Sequence, residues 1–211
     1  MVKKRPKAKT PIIAGVADHA GWAILVSVTV KDGAPEVIDR RRVELLDPGL
    51  PPLPYEHDTV GLSALAAEKL IQEVRDSAQH CAERALSKLR SSLEPAGDLV
   101  AIALRTSPLP QLPHTVAEVH ASRHVTLRAD GMLYLAALRT AATSLGIAVI
   151  DFPRGEERAR AAEATTSTPE QLDRFLTGLR QTLGAPWQQD HQTATARALA
   201  ALRRYATFRL D

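Results

Sequence analysis

Three short apolar stretches open the chain: Pro11 to Ala17, Gly21 to Val30 with Trp22 near its start, and Glu36 to Leu45, which alternates less cleanly through Arg40, Arg41 and Arg42. Runs of this length, rich in Val and Ile, predict strands. The breaks between them, Asp18-His19-Ala20-Gly21 and Lys31-Asp32-Gly33-Ala34, are short, and Asp and Gly tolerate the backbone angles of a tight reversal. The three elements therefore form an antiparallel meander. Asp47 to Asp58 carries Pro48, Pro51, Pro52 and Pro54, which cannot continue a helix or a sheet ladder, and is expected to be a surface connection.

The period then changes. From Gly61 to Leu93 apolar residues fall at Leu62, Leu65, Ala66, Leu70, Val74, Ala78, Cys81, Ala85 and Leu89, the three-and-four spacing of one buried helix face. Leu99 to Leu104 is a continuous apolar run, as expected of a strand covered on both sides, and Thr106 to Pro113 is a second proline-rich loop. A helical stretch with room for one break runs from Thr115 to Leu145, with Leu127, Gly131, Tyr134, Leu138, Ala141 and Leu145 on one stripe and Gly146 placed to terminate it. Ile147 to Phe152 reads as a fifth strand. Helices follow at Gly155 to Ala164, after the Ser167-Thr168-Pro169-Glu170 opening, and at Asp190 to Tyr205, where Ala194, Ala198, Ala201 and Tyr205 face inward.

A hairpin-linked trio followed by helix-linked strands implies an α/β fold with a mixed five-stranded sheet, three antiparallel strands then two parallel, and helices on both faces. That is the ribonuclease H-like arrangement. At 211 residues the chain has the length of one ordinary core, so residues 11–211 are expected to form a single domain behind a basic, disordered tail at 1–10.

Composition sharpens the functional question. Aromatic residues are only 4%, which counts against an exposed base-stacking platform. The lone Cys81 excludes an intrachain disulfide or a multi-cysteine zinc site and fits a reducing compartment. No stretch approaches the roughly 20 apolar residues of a membrane-spanning helix, and the basic amino terminus lacks an apolar region before a cleavage site, so a cytoplasmic protein is expected. The net charge of +3 comes from Lys3, Lys4, Arg5, Lys7 and Lys9; without those five of the 27 basic residues, the remaining 22 face 24 acidic ones. Such a tail either adds non-specific phosphate affinity, through Lys3, Lys4 and Arg5 among others, or simply solubilises a near-neutral body.

Four stretches, in order, resemble the bacterial RuvC-type Holliday-junction resolvases. They are Ile12-Ile13-Ala14-Gly15-Val16-Ala17-Asp18 through Gly21-Trp22-Ala23, Ala141 to Pro153, Ser167 to Leu183, and Asp190-His191-Gln192-Thr193-Ala194-Thr195-Ala196. The resemblance implies a metal-dependent nuclease in which four carboxylates from the first strand, the fourth strand and the last helix hold two magnesium ions. It also implies a homodimer. Here the acidic site is degenerate. Asp18 lies one place late for the first-strand acid, Asp190 matches the first helix acid, Thr193 replaces the second, and Leu104-Arg105-Thr106 stands where the fourth strand should present Glu. Two carboxylates hardly hold a closely spaced ion pair, and Arg105 either repels metal or pairs with Asp18 or Asp190.

Two functional readings remain open from sequence. One is a diverged resolvase-like protein that binds or cuts nucleic acid in a cleft at Asp18, Arg105 and Asp190. Asp18, Asp190 and His19 are then candidate ligands for Mg²⁺ or Mn²⁺, and Asp18, Asp190 and His191 candidate catalytic groups, with the twice-occurring Asp-His dipeptide supplying acid and base. The other is an inactive scaffold for a protein partner, in which Asp190 is a helix cap and Asp18 a turn residue. His120 and His124, and His114 and Glu118, have zinc-compatible spacing but no His-Glu-x-x-His motif; Trp187 either lines the site or staples the last helix; Cys81 reads as packing.

Overall fold

The computed structural model describes residues 9–210. The strands are β1 (Pro11–His19), β2 (Trp22–Lys31), β3 (Ala34–Glu44), β4 (Asp98–Arg105) and β5 (Ala148–Phe152). The helices are α1 (Ala64–Leu93), α2 (Val116–His120), α3 (Arg123–Ser144), α4 (Glu157–Thr165), α5 (Pro169–Leu183) and α6 (Gln189–Leu202). One five-stranded sheet has the order β3-β2-β1-β4-β5, antiparallel from β1 to β3 and parallel across β1, β4 and β5. This is the mixed sheet the pattern predicts, with ribonuclease H-like order and direction.

Strand alternation divides the interior into two layers. Ile12, Ala14, Val16, Leu99, Ile102 and Leu104 face α1 and α3, whereas Ile13, Ala17, Ala101 and Ala103 face α4, α5 and α6. Small residues on the second face allow α6 to lie close to the sheet, and half of its own buried residues are alanine. The hairpin turns follow from backbone chemistry: Asp32 and Gly33 both have positive φ between β2 and β3, the pairing a two-residue turn favours.

Four expectations need correction. The proline-rich connection is not wholly irregular, because Pro54–Asp58 forms one π-helical turn whose amino end is held by a side chain of α3. Leu62 precedes α1, and Leu65 and Ala66 lie about 200° and 100° around the helix from Ala67, where the buried face begins, so all three are exposed. Leu127 is exposed because the buried positions of α3 start only at Ala129. Tyr205 lies beyond the end of α6 at Leu202 and is also exposed. The expected break between Thr115 and Leu145 falls at Ala121 and Ser122; α2 opens with a capping box of Thr115 and Glu118.

Candidate functional site

The carboxyl ends of β1, β4 and β5 and the amino end of α6 meet at one edge of the sheet, the region where α/β folds bind ligands. Cross-strand pairing fixes which face each side chain takes. Asp18 pairs with Ala23, a member of the α1/α3 core, and His19 pairs with Trp22, which packs on the α6 side. Asp18 and Asp190 therefore approach the sheet from opposite faces, and it is His19 that meets Asp190, at 3.1 Å between Nε2 and Oδ2. One position along a strand reverses the face. Ala17, two places before His19, is on the α6 side as well, and it carries no acid.

Asp18 is instead enclosed by Arg105. The guanidinium Nε donates to both carboxylate oxygens at 3.0 and 2.9 Å, and Nη2 reaches Oδ2 at 2.8 Å. The Asp18 side chain is 2% exposed and that of Arg105 15%. Nη2 of Arg105 also points to the carbonyl of Gly131 in α3, at 3.4 Å. This is the filled-site alternative that the sequence left open, and the pair is tight because a planar guanidinium matches a carboxylate.

A second buried cation stands behind it. Arg197 projects from α6, donates to the Val16 carbonyl at 2.5 Å and pairs with Glu157 at 3.5 Å, while its Nε finds no partner among the described residues. Burial lowers its pKa, with Glu157 and Asp18 acting against that and Arg105 and Arg154 adding to it. The charge that a metal centre would require is thus reversed.

Among the described residues, no group of three or more His, Cys, Asp or Glu side chains converges. Magnesium and manganese require several oxygen ligands. Asp18 already spends both oxygens on Arg105, and Asp190 contributes one carboxylate beside an imidazole. This donor set does not fit the divalent metal that the family resemblance implies.

The other expected residues have structural partners. His19 stacks on Trp22 with ring centroids 4.0 Å apart, and Arg42 lies over the same indole at 4.0 Å. His191 is buried; its Nδ1 accepts the Gln188 backbone N–H at 3.2 Å, and burial together with Arg40 lowers its pKa. Trp187 takes the stapling role, donating from Nε1 to the Leu176 carbonyl at 2.6 Å. His120 Nε2 contacts the Tyr55 carbonyl at 2.8 Å, and Glu118 accepts backbone N–H groups of His114 and Thr115. Cys81 is buried, and burial raises its pKa. Lys3, Lys4 and Arg5 lie outside the described residues.

What the edge of the sheet does present is a cleft of about 560 Å³ between the loops after β4 and β5 and the first turns of α3. Arg105, Arg128 and Arg154 line it together with the polar Thr106 and Ser107, and no carboxylate does. Sequence reasoning identified Arg105 but missed Arg128, Arg154 and Arg197. Arg197 carried a readable signal: an arginine three residues after Ala194 on an otherwise apolar stripe has to be buried with a purpose. Arg154 directly follows the proline that ends β5, a strand-end position.

No protein-family model matches the chain, nor does any curated protein. Among solved structures, a Thermus thermophilus RuvC structure is 15% identical, with 93% of this chain and 97% of that one covered and a TM-score of 0.49. T. thermophilus RuvC in complex with a Holliday junction substrate is also 15% identical, covering 93% and 96% with a TM-score of 0.46. The strand order and directions described above carry the fold assignment by themselves.

Proposed function

We propose that this chain is a ribonuclease H-like domain that binds nucleic acid by its phosphates without hydrolysing them. The observation that carries this reading is the cleft lined by Arg128 and Arg154 and by no acid, with Arg105, already paired to Asp18, at its wall. Arginine recognises phosphate oxygens through paired N–H groups, and Thr106 and Ser107 add hydroxyl donors at the same wall. The Arg105 fork on Asp18 supports the non-catalytic part, because it engages both oxygens of the strand-end carboxylate.

The test is a salt titration of binding to labelled duplex and four-way-junction DNA, by anisotropy, with Mg²⁺ and product gels alongside. Arg128→Ala and Arg154→Ala should each weaken binding and lower the slope of log K against log[salt] by about 0.9. No Mg²⁺- or Mn²⁺-dependent product is expected. Affinity that disappears in the Lys3→Ala, Lys4→Ala, Arg5→Ala protein but survives both cleft substitutions would move the site to the tail and overturn the cleft. Absence of binding altogether would favour the scaffold reading, and metal-dependent cutting would overturn the non-catalytic one.

A further inference from the structure

A second cleft, of about 440 Å³, lies on the opposite side of the loop that follows β4, between α1, α3 and that loop. It shares only Ser107 with the arginine-lined cleft, so its chemistry is independent of the nucleic-acid reading. Its floor is apolar, built by Leu112, Met132, Leu133, Ala136 and Ala137. Two cations line it, Arg75 and Arg139, and no carboxylate does. They differ in availability. Arg139 is held by Asp151 through two contacts of 3.0 and 2.6 Å. Arg75 is exposed and makes no ion pair among the described residues; its contact is the neutral Tyr55 hydroxyl at 3.2 Å.

We propose that this cleft binds a small amphiphile, its apolar body against the Leu112, Met132 and Ala136 surface and its single anionic group at Arg75. The volume falls in the roughly 300–1,000 Å³ range of small-molecule sites, which are mostly apolar with a few polar groups to orient the ligand. A cation without a counter-ion at the edge of an apolar cleft supplies that orientation. An anion there keeps its charge at the solvent boundary while the body leaves water.

The experiment uses the full chain with two dyes of the same apolar body. One is 8-anilinonaphthalene-1-sulfonate, which is anionic, and the other is N-phenyl-1-naphthylamine, which carries no charge. Both should bind saturably at one site per chain. Arg75→Gln should weaken the sulfonate about tenfold and leave the neutral dye unchanged, as expected of one lost charge-assisted contact. Ala136 is exposed on α3, so Ala136→Phe fills the cleft without disturbing the core and should abolish both, with an unchanged melting curve. Undiminished binding to Ala136→Phe would place the dyes elsewhere. Equal loss of both dyes in Arg75→Gln, or loss of neither, would remove the anionic recognition.

Discussion

Arg105 closes over Asp18 with three contacts of 2.8 to 3.0 Å, around a carboxylate whose side chain is only 2% exposed. The pair joins the ends of β4 and β1 and reaches α3 through the Gly131 carbonyl. A buried pair of this kind is worth little against an apolar replacement, because both charges have left water, but breaking it from one side strands the other charge. Arg105→Ala should therefore cost about 3 kcal/mol in urea unfolding. Arg105→Met with Asp18→Leu should lie within about 1 kcal/mol of wild type. A loss below about 0.5 kcal/mol for Arg105→Ala would mean that water screens the pair.

Asp130 couples α3 to the π-helical turn, accepting the Tyr55 and Glu56 backbone N–H groups at 2.9 and 3.1 Å. Burial pushes its pKa from 3.8 up to about 6, against the lowering effect of those two N–H groups. Between about 4 and about 6 the folded chain therefore holds a proton that the unfolded chain has released, so Asp130 makes stability rise as pH falls through that window. A carbon-13 titration of the Asp130 carboxyl should show a midpoint near 6. Asp130→Asn should remove this contribution from the urea midpoint measured across the same pH range. A midpoint near 4 would contradict the burial argument.

His191 acts in the opposite direction. Burial first, and then the Arg40 charge, depress its pKa below 6.5, so the folded protein keeps the imidazole neutral with Nδ1 accepting from Gln188. The unfolded chain protonates near 6.5 and binds more protons on acidification, so the contribution of His191 is complete above that pH and is lost as pH falls through the folded value. His191→Gln retains an acceptor and should reduce the acid destabilisation. An unchanged acid limb would show that His191 does not carry it. Because Asp130 and His191 oppose one another, the two single variants separate slopes that the wild-type curve combines.

The strand and helix order was legible in the sequence because it is written in period: the turn residues at Asp32-Gly33 and the three-four spacing through Val74 and Ala78 leave few alternatives. The site was legible only in part. Asp18 and Asp190 both sit at the ends of the elements predicted for them, but which face Asp18 takes depends on β1 running on to His19 and pairing with Trp22, a two-residue extension that the Ala20-Gly21 turn makes possible. Sequence pattern places strand ends less sharply than that, and one residue is enough to change partner from Asp190 to Arg105. The arginine cleft was harder still, since Arg128 and Arg154 come from separate loops and helices that only the fold brings together.

The closeness of α6 to the sheet depends on the absence of a side chain at Gly15. A Cβ there would lie 1.8 Å from the Ala194 carbonyl oxygen, 2.7 Å from its carbon and 2.9 Å from the Ala198 nitrogen. All three are backbone atoms, so no rotamer change relieves the clash; α6 must move, and Asp190 and Arg197 move with it, away from His19 and Val16. Gly15→Ala should therefore destabilise by about 3 kcal/mol or more. Gly178, inside α5, is the control, because nothing lies within 4 Å of its Cβ position. Gly178→Ala should stabilise by about 0.5–1 kcal/mol through helix propensity and a less flexible unfolded chain. Chemical denaturation of both variants reads the difference directly: equal effects would mean that α6 is not pinned to β1, whereas opposite signs identify the Gly15 contact as what holds Asp190 and Arg197 in register with the sheet edge.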